Sequence, residues 1–171
     1  MDYKKYIKEY PNFPNPKINF LDISPLISDP HAWHNVIEQF SCFCKRVKPD
    51  FIAGIESRGF ILGASLATYT SIGLIPIRKA GKLPGEVISQ EYCLEYGSDI
   101  LELQTNSFPI NSRILIVDDL LATGGTVNAS SELVRRANGK IVGYGFVIEI
   151  KNLRARERIT YDAPISSLIN Y

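Results

Sequence analysis

The sequence predicts an α/β fold built on a doubly wound, mainly parallel sheet, and three observations support this. Short β-branched runs alternate with segments of helical spacing. One run, Ile114-Leu115-Ile116-Val117 after Arg113, is continuously apolar, as a strand buried on both faces requires. It leads into two acids and a Gly-rich turn at a helix start, and open α/β sheets hold their ligands at the carboxyl ends of such strands.

Residues 2–9 suit a short helix. Pro11, Pro14, Pro16 and Pro25 then impose an extended path that cannot be a central strand, so residues 1–28 are expected to form a covering hood. Asp29-Pro30 starts a helix whose apolar stripe is Trp33, Val36, Ile37, Phe40, Cys44 and Val47. Residues 51–55 read as a strand, 60–69 as a helix apolar nearly all round and buried against a sheet, and 74–77 as the next strand. Residues 92–103 alternate around a Gly-Ser-Asp turn, which predicts a hairpin standing off the sheet, part of a flexible flap over 79–103. Residues 113–117 and 141–148 supply two more strands. The helix between them, 126–137, is closed by Asn138-Gly139. One domain over 1–171 is expected, with an α/β core at 29–150 and a C-terminal tail at 151–171.

A chain of 171 residues can bury a core without disulfide or metal support. Its net charge of +1, with acids and bases interspersed, argues against a nucleic-acid partner. Cys42, Cys44 and Cys93 are odd in number and lack the paired spacing of zinc sites, so reduced packing thiols are expected. His31 and His34 lie three apart on one helix without a third ligand, which fits surface or packing roles. The N-terminal residues lead into no apolar signal core, and no apolar stretch approaches membrane-spanning length, so a cytoplasmic location without membrane contact is expected.

Asp118 and Asp119 sit at the end of the central strand, and Gly124 and Gly125 let the following backbone curl with its N–H groups inward. The helix start adds unpaired donors and a positive terminus, so the turn from Ala122 through Thr123, Gly124, Gly125 and Thr126 suits a phosphate monoester. Carboxylates repel phosphate, so two anionic aspartates beside such a cradle make sense facing the neutral hydroxyls of the same ligand. Each charge-assisted bond would contribute about 1.5–3 kcal/mol. A ribose 5-phosphate fits. Ordinary solvated acids, or a pair binding a divalent cation directly, remain open from these residues alone. No Lys-Ser or Lys-Thr follows the glycines, which disfavours a nucleoside triphosphatase.

At this turn the chain resembles the type I phosphoribosyltransferases, whose signature is an apolar strand, two acids and Thr-Gly-Gly-Thr. Gly54-Ile55-Glu56-Ser57-Arg58-Gly59-Phe60, Ile77-Arg78-Lys79-Ala80-Gly81-Lys82-Leu83-Pro84-Gly85 and Glu91-Tyr92-Cys93-Leu94-Glu95-Tyr96-Gly97 resemble the adenine-type members, and the resemblance spans nearly the whole chain. It implies transfer of the 5-phosphoribosyl group from phosphoribosyl pyrophosphate to N9 of adenine, giving AMP and pyrophosphate. It further implies a homodimer and Mg²⁺ held mainly through substrate oxygens and water, with no direct protein ligand. Ser57 and Arg58 would bind pyrophosphate on a loop whose Glu56-Ser57 peptide is often cis. Arg78, Lys79 and Lys82 would reach it too, across the dimer interface. Glu95 would accept the adenine N9 proton and Tyr96 would exclude water. A helix cap with an exposed Arg, a solvated basic face and a half-exposed hairpin are the plainer roles for these three segments.

Adenine-type members usually read Phe-Pro-X-Pro-Gly-(Ile/Val)-X-Phe-Arg-Asp-Ile in the hood. Here the segment from Phe13 to Ile23 carries Lys17 in place of Gly and Leu21 in place of an Arg beside the base pocket. Asn19, Phe20 and Leu21 would contact the base, Phe20 by stacking. Ala155 also replaces a usual Gly. Another purine as acceptor, or a nucleotide sensor without turnover, are the competing functions.

Overall fold

The computed structural model describes residues 1–16, 18–93 and 98–171. Lys17, Glu95 and Tyr96 lie outside them. The hood contains an antiparallel ribbon of β1 (Lys8–Pro11) and β2 (Asn19–Asp22), followed by the short helix α1 (Ser24–Ser28). The helix expected over 2–9 is instead a single 3₁₀ turn, Lys4–Tyr6, leading into β1. So short a segment, with Ile7 its one buried side chain, gains more from pairing with β2 than from helical bonds.

Helix α2 (Pro30–Val47) starts where expected, with Asp29 Oδ1 accepting the N–H groups of His31 at 3.0 Å and Ala32 at 2.9 Å. Strand β3 (Phe51–Ile55), helix α3 (Gly59–Thr70) and strand β4 (Gly73–Lys79) follow, then the hairpin β5 (Val87–Cys93) and β6 (Ser98–Gln104). After them come β7 (Arg113–Leu121), α4 (Gly125–Arg136), β8 (Lys140–Glu149) and β9 (Ile165–Asn170). Among the described residues these strands form a seven-stranded sheet in the order β5-β6-β4-β3-β7-β8-β9. The run from β4 to β9 is parallel, while β6 joins β4 and β5 joins β6 antiparallel.

Strand alternation divides the core in two. Ile52, Leu115 and Val117 pack with Val36 and Phe40 of α2 and Leu62 and Leu66 of α3. Ala53, Ile55, Ile114 and Ile116 pack with Leu133 and Val134 of α4 and with Leu101 and Leu103 of the hairpin. The sheet is thus covered on both faces, as a doubly wound fold requires.

Four expectations need correction. The hairpin does not stand off the sheet: β6 pairs with β4 at Arg78↔Glu102 and Lys79↔Leu101, and Leu101 and Leu103 are buried. Ser98 and Asp99 belong to β6, paired with Cys93 and Tyr92, so the turn lies outside the described residues. Helix α3 buries one side only, leaving Ile61 39% and Tyr69 47% exposed beside Leu74 at 37%. Residues 151–171 are more than a tail, because β9 extends the sheet in parallel with β8. Cys44 is a packing thiol, whereas Cys42 is exposed. No helix among the described residues is long and apolar enough to cross a membrane.

Asp29→Ala removes both cap bonds of α2, and an equilibrium stability loss of about 1 kcal/mol is expected. Urea unfolding should show a lower midpoint at unchanged slope; an unmoved midpoint would mean that the cap contributes nothing.

Candidate active site

A cavity of about 260 Å³ opens over the carboxyl ends of β3 and β7. Its wall includes Glu56, Ser57, Arg58, Asp118, Asp119, Ala122, Thr123, Gly124 and Thr126. The turn after β7 has the left-handed glycine and the helix start that the sequence suggests. Gly124 holds φ +92 as the N-cap of α4 without a side-chain cap, leaving first-turn N–H groups for a ligand. Behind it, Ala155 sits where a Cβ on Gly124 would meet its carbonyl oxygen at 3.5 Å. Ala155 lies in a 3₁₀ turn and is not among the positive-φ residues; the left-handed position next to it is taken by Arg154, at φ 52.

The two acids lie within β7, not beyond it, because pairing with β8 continues to Leu121↔Glu149. Asp119 Oδ2 stands 3.0 Å from Arg58 Nε, and the Asp119 N–H donates to Asp118 Oδ1 at 2.8 Å. The Asp119 Oδ2 contact is a charge contact without the alignment of a hydrogen bond, so this buried oxygen keeps acceptor capacity. Burial and then the Asp119 carboxylate push Asp118 well above the usual carboxylate range. Burial also raises Asp119, against the pull of Arg58. The two aspartates expected to be anions therefore resist carrying two charges together, since desolvation and mutual repulsion both favour a proton on the pair.

The loop from Glu56 to Arg58 closes the opposite wall, and its Glu56-Ser57 peptide is cis, as the resemblance implied. Arg58 reaches toward the hood. Its Nη1 donates to the Leu21 carbonyl at 3.1 Å, and its guanidinium lies 4.8 Å from the centre of the Phe20 ring. The hood therefore meets the acids through one arginine. Leu21 does not present its side chain to a base pocket: the side chain is 4% exposed in the core, and the carbonyl is what faces Arg58. The Asn19 side chain donates to Glu9 Oε2 at 2.8 Å. Asn19, Phe20, Leu21 and Gly125 lie outside the cavity wall itself.

Arg78, Lys79 and Lys82 also lie outside that wall and are paired within the chain. Glu56 accepts Lys82 Nζ at 2.6 Å, the Lys79 N–H at 2.9 Å and Arg78 Nη2 at 3.4 Å. Burial pushes Glu56 up, but these donors outweigh it and hold the carboxyl at about 2. Lys79 Nζ pairs with Asp99 at 2.8 Å. Sequence reasoning gave Glu56 only a place in a loop, because its partners come from a different strand. It also missed Tyr92, Leu120, Leu121, Val127 and Phe146, which complete the cavity wall. Leu120, Leu121 and Val127 adjoin the acids and the turn in sequence, whereas Tyr92 and Phe146 come from β5 and β8, and no local motif marks those two.

Residues 34–168 match the phosphoribosyl transferase domain, and the chain belongs to that family. Among its relatives, an adenine phosphoribosyltransferase of Prochlorococcus marinus (strain MIT 9313) is 51% identical over 171 residues, covering 100% of this chain and 99% of the relative. The solved adenine phosphoribosyltransferase of Thermoanaerobacter pseudethanolicus superposes with a TM-score of 0.95 at 42% identity, covering 99% of this chain and 98% of the other. That of Saccharomyces cerevisiae, complexed with D-2,5-dideoxy-2,5-imino-altritol 1,6-bisphosphate and adenine, gives 0.91 at 40% identity, covering 98% and 96%.

A Cβ on Gly59 would stand 2.8 Å from Asp118 Oδ1 and 2.9 Å from the Val117 carbonyl oxygen, whereas one on Gly63 would meet only the Leu74 side-chain tip at 2.9 Å. Gly59→Ala is therefore expected to lower stability by about 1–3 kcal/mol despite the helix propensity of Ala. Gly63→Ala should cost clearly less, because a side-chain tip yields more easily than a backbone. Equal urea midpoints for the two variants would refute the close approach of α3 to β7.

Proposed function

We propose that this chain transfers the 5-phosphoribosyl group of phosphoribosyl pyrophosphate to N9 of adenine, releasing AMP and pyrophosphate. The observation that carries this is the meeting, in one cavity, of a half-buried and a buried acid with an uncapped helix start. That pairing suits a ligand with neutral hydroxyls at one end and a phosphate at the other. The yeast relative complexed with adenine and a bisphosphate imino sugar supports the same substrate pair.

In this scheme Ala122, Thr123, Gly124, Gly125 and Thr126 cradle the 5′-phosphate, and Asp118 and Asp119 accept the ribose hydroxyls. Ser57 and Arg58 receive pyrophosphate, so Arg58 exchanges its contacts with Asp119 and the Leu21 carbonyl for the incoming anion. Phe20, released from the guanidinium, offers a face to the base, and the backbone at Asn19 and Leu21 reads its edge. Glu95 accepts the N9 proton and Tyr96 excludes water. Preorganised donors around the leaving group stabilise its developing charge.

Mg²⁺ belongs to this proposal as a substrate-borne cation. The acceptor capacity of Asp119 Oδ2 fits a hydrated ion or a hydroxyl of its ligand. When bound, the ion would neutralise charge on pyrophosphate and ribose oxygens. The chain acts as a homodimer in the cytoplasm, as one folded domain. The apolar surface left by Ile61, Tyr69 and Leu74 suits a subunit contact. Arg78, Lys79 and Lys82, held by Glu56 and Asp99, form a preset cationic edge for pyrophosphate in the neighbouring subunit.

Adenine is expected to show roughly tenfold or higher kcat/KM than hypoxanthine, guanine, xanthine or orotate, since a mismatched buried donor or acceptor costs about 1–3 kcal/mol. Steady-state assays with phosphoribosyl pyrophosphate and Mg²⁺ decide it. A 6-oxo purine used equally well would overturn the choice of base, and nucleotide binding without turnover of any base would indicate a sensor.

Glu95→Gln is expected to lower kcat by about 10²–10⁴ while calorimetric AMP affinity stays unchanged. A wild-type rate would remove Glu95 from proton transfer.

A further inference from the structure

Tyr92 lines the cavity, and the transfer scheme above leaves its hydroxyl without a task. It sits on β5 directly opposite Asp99 of β6, and its ring packs against the core cluster shared by the hairpin and α4. It lines the same cavity as Thr123, Gly124 and Thr126. There the Asp99 carboxylate and the Thr126 hydroxyl both stand near enough to act on the phenol. A polar line therefore runs from Lys79 through Asp99 and Tyr92 to Thr126, from the cationic edge to the turn before α4.

We propose that the Tyr92 hydroxyl is a side-chain ligand of the 5′-phosphate, which makes the β5–β6 hairpin part of the phosphate site; this rests on the ribose 5-phosphate cradle proposed above. Three physical points lead there. A phenol that shares the cavity wall with Thr126 stands beside whatever Thr126 itself holds. The ring is fixed by packing, but a hydroxyl proton turns freely about its C–O bond, so no chain movement is needed to redirect it. Asp99 does not depend on that proton, because Lys79 Nζ at 2.8 Å and the Ile100 N–H at 2.9 Å already serve it.

Thr126 and Tyr92 each carry a hydroxyl proton that can turn within the cavity. When a phosphate dianion occupies the turn, both protons swing to it, and two neutral donors join the backbone N–H groups. Burial and the Asp99 carboxylate both raise the phenol, so it keeps its proton at neutral pH and remains a donor. A neutral donor suits this position better than a cation, which would compete for the aspartates that hold the ribose.

The test is Tyr92→Phe, which keeps the ring and removes the hydroxyl alone. Affinities for AMP and adenosine are measured by calorimetry, with thermal unfolding as a check on folding. AMP should bind about tenfold more weakly, the scale of one lost hydrogen bond to an anion, while adenosine binds as before. The KM for phosphoribosyl pyrophosphate should rise by a similar factor with kcat held. Equal weakening of AMP and adenosine would make Tyr92 a packing residue and overturn the proposal, as would an unchanged AMP affinity. If the unmutated chain binds adenosine and AMP equally, the phosphate cradle itself fails, a result distinct from failure of the variant alone. Thr126→Val supplies the second arm: if both hydroxyls hold one phosphate, the double variant should lose less than the product of the single losses.

Discussion

The approach of α3 to β7 is the constraint on which the cavity depends. Gly59 brings the helix so near the strand that a Cβ there would strike both Asp118 and the Val117 carbonyl. That contact sets the height of the Glu56–Arg58 loop above the acids, and hence the 3.0 Å separation of Arg58 from Asp119. A larger first residue would lift the loop and leave the buried Asp119 carboxyl without its counter-charge, an arrangement that costs on the order of several kcal/mol. Packing here comes first and the electrostatics follow from it.

Charge in the site is arranged in two separate circuits. Asp118, Asp119 and Arg58 form one, poorly satisfied, with raised carboxyl pKa values and an oxygen lacking an aligned donor. Glu56 with Arg78 and Lys82 forms the other, satisfied well enough to hold Glu56 at about 2. The second circuit carries one more cation than anion, and its Arg78 Nε lacks an aligned acceptor, so spare donor capacity remains there as spare acceptor capacity does at Asp119. Below about pH 4 the second circuit begins to lose its contribution to stability, since a carboxyl with a depressed native pKa stabilises the fold only while its unfolded counterpart is also ionised.

The central features were legible in the sequence because they are local. The run Ile114–Val117, the acids and the glycines each declare a strand, a ligand edge and a turn without help from distant residues. What escaped is non-local or short. Strand β9, with two serines and an asparagine among its six residues, has no strong pattern and exists because β8 offers it an edge. Helix α1 has five residues, too few to show a period. Leu21 reads as a pocket residue only until the pairing of β1 with β2 turns its side chain inward. Tyr92 and Glu56 acquire partners through sheet register, which alternation along a single strand cannot reveal.

The bond from Arg136 Nη1 to the Ser89 carbonyl, 2.7 Å long, also bears on how molecules of this protein behave toward one another. An open sheet presents unpaired backbone at its outermost strand, and such borders recruit strands from other molecules. On β5 the helix that packs beneath the hairpin sends a guanidinium to occupy one of those carbonyls. Exposed Glu91 adds charge along the same strand. The arginine closing α4 thereby guards the sheet border against edge-to-edge aggregation, so colloidal behaviour in a crowded solution depends on a side chain remote from the chemistry.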